Sequence, residues 1–373
     1  MGELNKPAAK RLQSLDALRG FDMFWIMGGK GIFVGLATLT GWPLLQWWAG
    51  QLQHVRWHGF HFYDMIFPLF LFIAGISFPF SLSKRTAMND SKKSIYFHVV
   101  KRGLVLVMLG ILYNNAVKLN LTELRYGSVL GRIGLAWMFA AIIYMNTKLR
   151  FRLVWFCGLL LGYWVLLLLF PAHDLGSTDI FSMEGNLSSY IDRLLLPGKL
   201  DDGIHEPEGL LSTLPAISTA LLGMFTGEFL LSGYLKDKPL RKVFYLILTA
   251  ITLIIIGKVW GIVFPINKNL WTSSFVCFVG GISLLLFSLF YLVIDVLQYK
   301  KWTFFFVVIG MNPITIYLAA KIINFKIATG FFFGGIISLL PETWAPLING
   351  IGITAIGWVF LYILYKKKIF LKV

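Results

Sequence analysis

The chain has 373 residues, 57% of them hydrophobic and only 14% charged, with a mean hydropathy of +0.73. A soluble domain carries about 25% charged residues, so one water-soluble core is excluded and the chain is an integral membrane protein. The net charge of +16 comes from lysines and arginines gathered at the ends of apolar segments, the positive-inside pattern, so nucleic acid is not the expected partner. Aromatic residues make up 16% of the chain, with 33 Phe and 13 Trp, which suits a helical bundle with interfacial belts. Alternating strand-length segments, the mark of a transmembrane barrel, are absent.

Residues 1–16 are polar and lack a small-residue cleavage pattern, so no removable signal peptide is expected and the first span does the targeting. A span needs about 20 mainly apolar residues. Segments near 17–38, 62–83, 97–116, 128–146, 152–170, 209–231, 241–260, 271–295, 303–323 and 350–366 meet that need. The glycine-rich patch from Ile327 to Leu340 is short and reads as interfacial or re-entrant, an eleventh span being the alternative. The expected fold is all-α: a polytopic membrane bundle of about ten transmembrane helices forming one domain over 1–373. Counted along the chain, 23 of the 34 basic residues fall on alternate connections, from Lys6, Lys10, Arg11 and Arg19 to Lys366, Lys367, Lys368 and Lys372. That side is expected to be cytoplasmic, with both termini there. The other side then holds the connections 37–61, 117–127, 261–270 and 324–349 and the long acidic loop 171–208. Cys157 and Cys277 lie inside apolar runs and are expected to pack; no disulfide framework is possible.

Half of the six histidines stand within eleven positions: His54, His58 and His61, followed by Asp64 at the mouth of the second span. An imidazole titrates near neutrality, and a His–Asp pair orients one ring for general-base work or nucleophilic attack. A helix beginning at 62 puts Asp64 on its first turn, where the dipole favours a carboxylate. Spacings of four and three also fit a three-histidine metal site on one helical face. The plainest alternative is an amphipathic interfacial loop.

Ionisable residues inside spans come next: Asp22 and Lys30, Arg132, Glu228, Lys258 and Lys321. In hydrocarbon such groups face a cavity or a partner. Asp22 and Lys30, eight apart, fall on one helical face and suggest a polar interior, which a transporter would also use. Asn267-Lys268-Asn269-Leu270-Trp271 opens the eighth span, its Asn amides and Trp ring suited to sugar binding or merely to capping and an interfacial anchor. Asn312-Pro313 marks a kink. No Walker A loop, Rossmann glycine pattern, GxSxG elbow or HExxH is present.

The opening RLQSLDALRG, from Arg11 to Gly20, resembles the RxxSLDxxRG start of the transmembrane acyltransferases related to heparan-α-glucosaminide N-acetyltransferase. The resemblance continues in order through HVRWHGFHFYDMIFPLFLFIAG, GNLSSYIDRLLLPGKL, HEPEGLLSTLPAISTALLGMFTGEFLL, PINKNLWTSSFV, GMNPITIY and WVFLYILYKKKIF. It implies transfer of an acetyl group from cytosolic acetyl-CoA, the acyl-donor co-substrate, to a glucosamine amine on the lumenal side. The family's HxxWxGxxxxDxxFP pattern reads here His54, Trp57, Gly59, Asp64, Phe67 and Pro68, so the resemblance assigns His54 as base or acyl carrier, with Asp64 holding its tautomer. His58 and His61 become weaker candidates and a metal is not expected. The family's extra N-terminal lumenal region is not matched, which implies a bacterial cytoplasmic-membrane homologue whose acceptor is an amino sugar or glycan and need not be heparan sulfate. No Asn aligns between the RG motif and the histidine; Gly28-Gly29-Lys30 stands there.

Arg19, Lys101 and Arg102 are the expected contacts of the donor phosphates, by charge complementarity. Trp57, Asn269 and Trp271, with the 171–208 loop, are the expected acceptor contacts. The lipid bilayer and a second copy in a homodimer complete the expected partners. The rival readings are a permease for a glycan or lipid-linked sugar, and an inactive relative that binds or scaffolds.

Overall fold

A computed structural model describes residues 12–115, 123–235 and 237–371. Lys6, Lys10, Arg11, Lys236, Lys372 and part of the 117–127 connection lie outside the described residues. Among the described residues nine helices are long and apolar enough to cross a membrane: Gln13–Thr40, Phe62–Ala87, Lys92–Asn115, Val129–Asn146, Leu149–Leu169, Thr213–Leu231, Pro239–Trp260, Ser273–Val296 and Glu342–Lys366. A bent pair, Lys301–Gly310 and Pro313–Ile322, set at 60°, brings the number to ten when it is counted as one broken span. In chain order these are spans one to ten, with the bent pair ninth. They match the ten apolar segments of the sequence, and the described residues contain no strand beyond one isolated bridge, Arg125 to Gly198. The protein is a multi-pass helical membrane bundle.

The second span lies at the centre, with 72% of its apolar window buried, whereas the fifth keeps only 17% buried and faces outward. The second and sixth spans touch at backbone distance. A Cβ added at Gly75 would meet the Ala220 carbonyl oxygen at 2.3 Å, and one at Gly223 would meet that of Phe72 at 2.1 Å. Small residues of this kind let membrane helices approach where no hydrophobic drive between helices exists. The first span crosses the ninth just as closely, Gly20 against the Phe306 carbonyl and Gly310 against that of Asp16.

The bend of the ninth span falls at Asn312-Pro313, as the sequence predicts. Proline removes an N–H and clashes with the preceding turn. The C-terminal segment braces the bend: Asn312 Nδ2 donates to the Ile369 carbonyl at 2.9 Å, and the Leu371 N–H donates to Asn312 Oδ1 at 3.1 Å. The patch after this span forms its own helix, Phe325–Leu339, too short to span.

Three local expectations change. The first span is interrupted by a wider turn at Trp25–Gly29, so Asp22 and Lys30 do not share a face. Asp22 stays in the bundle, while Lys30 reaches out to Gln53 Oε1 at 3.2 Å and lies over the Tyr63 ring. Cys277 is buried as expected, but Cys157 is exposed on the peripheral fifth span. The 171–208 loop contains a helix, Leu187–Leu195, capped where Asn186 Oδ1 accepts from the Ser189 N–H at 2.7 Å. Its Arg193 pairs with Asp174 at 2.7 Å, folding the loop over one end of the bundle.

Candidate active site

The segment before the second span is not a helix. Helix Pro43–Gln51 ends at Leu52, which is fully buried in a cluster with Trp25 and Ile66. From there to His61 the chain is irregular and is tied down residue by residue. Gly59 has φ of +116°, a region that favours glycine, and its N–H donates to the Ile266 carbonyl at 2.8 Å. Trp57 Nε1 donates to the Phe181 carbonyl at 2.8 Å, and its ring meets the His205 ring edge-on at 5.0 Å. The helical face needed to align three histidines for a metal therefore does not exist. Asn267 Nδ2 approaches His58 Nδ1 at 3.3 Å, and His61 Nδ1 lies 3.2 Å from the Gln53 carbonyl. Among the described residues no group of three or more His, Cys, Asp or Glu is arranged to hold a metal.

His54 and Asp64 do come together. The short 3-10 turn Phe62–Met65 opens the second span and buries Asp64 to 1% exposure. Asp64 Oδ2 accepts from the backbone N–H of His61 at 3.0 Å and of Val55 at 3.4 Å, and Oδ1 lies 2.7 Å from His54 Nδ1. A carboxylate can only accept, so the Nδ1 proton points at Asp64 and Nε2 carries the free lone pair. The imidazole is half exposed and packs on Tyr63, ring centres 4.8 Å apart.

Lys268 completes the group. Its Nζ stands 3.1 Å from His54 Nδ1, 3.5 Å from Nε2 and 3.7 Å from Asp64 Oδ1. Burial lowers the Lys268 pKa, while the Asp64 and Glu208 carboxylates work to keep it charged. The sequence singled out Asn269 and Trp271 of this NKNLW stretch and passed over the lysine between Asn267 and Asn269. Asn269 Nδ2 donates to the Arg56 carbonyl at 3.4 Å. Trp271 is 1% exposed and packs in the core against Phe67, with the Arg132 guanidinium over its ring and Nε1 donating to Thr219 Oγ1. It does not line the cavity described below.

His54 and Lys268 border a cavity of about 210 Å³ that runs inward between the first, second, fourth and ninth spans. Its polar lining includes Asp22, Tyr63, Glu208 and Tyr317; the rest is apolar, including Met23, Phe67 and Ile133. Glu208 is a second residue the sequence did not single out, although HEPEG places two acids just ahead of the sixth span. Arg125 binds Asp201 at 2.8 Å, Glu206 at 2.5 Å and Glu208 at 2.5 Å. Burial opposes the Arg125 charge, but these carboxylates outweigh it and raise the arginine's pKa above its usual value. Burial raises Glu208, whereas Glu206, which takes two prongs of Arg125, is held below the usual range against its own burial.

At the opposite end of the first span, Arg19 Nη2 donates to Ser77 Oγ at 2.8 Å and Nη1 lies 3.4 Å from Asp16. Arg102 stacks over Trp137 and is close enough to Arg19 for their charges to repel. Lys101, one residue earlier, is exposed. Two of the three predicted donor contacts thus share one corner. From Ile66, where the second span's α-helix begins, to Ser77 is roughly 17 Å of rise, so this corner and the His54 group occupy different depths.

No protein-family model matches the chain. It is 26% identical over 426 residues to heparan-alpha-glucosaminide N-acetyltransferase of Mus musculus, covering 100% of this chain and 62% of that protein. It is 27% identical over 434 residues to the Homo sapiens protein of the same name, covering 99% and 62%. The chain thus spans less than two thirds of the length of these relatives. Over nearly its whole length the chain is therefore similar to the heparan-alpha-glucosaminide N-acetyltransferases of these two organisms.

Proposed function

We propose that the protein is a membrane-embedded acetyltransferase that moves an acetyl group from cytosolic acetyl-CoA to the amine of an amino sugar or glycan on the extracytoplasmic side. The observation that carries the reading is the His54–Asp64 pair with Lys268, placed at the border of a cavity that penetrates the bundle. The donor's anionic end fits the Arg19–Arg102 corner by charge, on the side where basic connections collect, and its acyl arm would extend towards His54.

Asp64 fixes the His54 ring and stabilises the imidazolium that forms on Nε2. The Nε2 lone pair takes a proton from the acceptor as it attacks the thioester carbonyl, or attacks that carbonyl itself. In the first route the new bond joins acceptor and acetyl carbon, the carbon–sulfur bond breaks, and the leaving thiolate takes the proton from His54. In the second route Nε2 bonds to the acetyl carbon as the carbon–sulfur bond breaks and CoA leaves as thiolate. The acceptor amine then attacks the acetyl-imidazole, the carbon–nitrogen bond to His54 breaks, and the proton lost by the amine neutralises the thiolate. The Lys268 ammonium beside Nε2 is a donor for the negative oxygen of either tetrahedral intermediate.

Purified protein given radiolabelled acetyl-CoA and a panel of amino sugars tests the proposal. His54→Ala lowers turnover by roughly 10²–10⁴-fold, the usual contribution of a general base, while the protein still inserts and binds donor. A well-folded His54→Ala with near-normal transfer would sink it. A burst of CoA release without acceptor, scaled to enzyme, identifies the acetyl-imidazole route. Asp22 within the cavity also suits a permease, which would move sugar without consuming acetyl-CoA.

A further inference from the structure

The cavity holds a carboxyl group that the reaction above does not use. Two carboxylates line it, and Glu208 is paired with Arg125. Asp22 is fully buried, and neither of its oxygens has a hydrogen-bond partner among the described residues. Ionisable side chains at membrane depth face a partner or a substrate path. The nearby lysines are committed elsewhere: Lys268 lies against His54 and Asp64, and Lys30 has turned out to Gln53 and Tyr63. The cavity lining also includes the apolar Met23, Ile26, Phe67 and Phe70. The group that completes this environment is a small cationic hydrogen-bond donor entering the same cavity as His54.

Resting on the acetyltransferase reading, we infer that Asp22 binds the ammonium form of the acceptor amine and takes its first proton. An amino-sugar amine is largely protonated near neutral pH, and an ammonium has no lone pair with which to attack. Transfer to Asp22 gives the carboxylic acid and the free amine. The amine nitrogen then bonds to the acetyl carbon, the carbon–sulfur bond breaks, and the second nitrogen proton passes through His54 to the CoA sulfur. Asp22 afterwards releases its proton to water, so one ammonium and one thioester yield one amide, one thiol and one proton. The division of labour leaves His54 free for the second proton or the acetyl group, and gives the site a preference for amines over hydroxyls.

The test compares wild type and Asp22→Asn with acetyl-CoA and glucosamine between about pH 6 and about pH 9, bracketing an amine pKa of about 8. The other titratable groups facing the cavity, namely His54, Tyr63, Glu208, Lys268 and Tyr317, are common to both proteins. Asp22→Asn is expected to use only the free amine. Its kcat/KM for glucosamine, relative to wild type, falls by roughly 10- to 100-fold at about pH 6, the weight of a hydrogen bond to a charged group. The gap closes by about pH 9. A loss of equal size at every pH, or no loss, overturns the role of Asp22, because a packing defect does not follow amine protonation. Glucosamine binding to the wild type without donor gives a second reading that needs no variant. Tighter binding at about pH 6 than at about pH 9 is expected, and the reverse order overturns the inference. Wild type that acetylates no amine at any pH overturns the acetyltransferase reading, and this inference with it.

Discussion

Replacing Asp64 by Asn gives a change whose size can be worked from the geometry. Asp64 Oδ1 accepts the His54 Nδ1 proton at 2.7 Å, while Oδ2 accepts two backbone N–H groups. An Asn side chain keeps the shape but offers only one oxygen. The backbone donors of His61 and Val55 claim that oxygen, which turns the amide N–H₂ towards His54. Nδ1 must then accept, and the proton moves to Nε2, the position the reaction needs as a lone pair. The variant also removes the negative charge that stabilises a transient imidazolium and faces Lys268 at 3.7 Å. Loss of a general base costs about 10²–10⁴-fold, or roughly 3–5 kcal/mol of barrier. The fold is expected to survive, because both backbone donors keep an acceptor. The assay is single-turnover acetyl transfer from radiolabelled acetyl-CoA in nanodiscs, with thermal unfolding as the control for integrity. Asp64→Asn within about threefold of wild type would refute the orientation argument, since a tautomer held wrongly cannot give near-normal base catalysis.

Further outcomes follow from the same geometry. Lys268→Met is expected to lower kcat by roughly 10²–10³-fold, the usual worth of one oxyanion donor, with the KM for acetyl-CoA little changed because the proposed contacts of the donor's anionic end, Arg19 and Arg102, lie at a different depth from Lys268. The loop over the site should show two opposed pH dependences, read by hydrogen exchange of the Leu187–Leu195 amides. Burial raises Asp192 from the ordinary carboxylate value of 3.8 to about 7, so its folded form binds a proton the unfolded form lacks, and its contribution is lost as pH rises through that window. Burial lowers His205 from 6.5 to about 4, so its contribution is present above 6.5 and lost as pH falls towards 4. The two slopes offset one another in wild type between about pH 4 and about pH 6.5. Asp192→Asn should therefore lose loop protection on acidification, and His205→Gln should gain it; unchanged slopes would show that neither group titrates as described.

The spans were legible because length and apolarity decide them, and the bend at Asn312-Pro313 because proline cannot continue the hydrogen-bond ladder. The His54–Asp64 pairing was legible because ten residues of local chain connect the two. Lys268 was not, since it comes from 214 positions away and enters the site only through the way the 261–272 connection folds back onto Gly59. Trp271 shows the converse. Its place at a span end suggested an interfacial ring, yet the second span and Arg132 pack around it and take it into the core. The face on which Asp22 lies followed from ideal helical spacing, but the wider turn at Trp25–Gly29 parted it from Lys30, and no periodicity in the sequence marks that turn.

The most direct test of the account encloses acetyl-CoA in sealed vesicles that hold the protein in one orientation, its basic connections facing inward, with glucosamine outside. The account predicts N-acetylglucosamine outside and CoA retained inside with wild type, and neither with His54→Ala. Product formed only when donor and acceptor share a compartment, or equal product from His54→Ala, would contradict transfer across the bundle at His54.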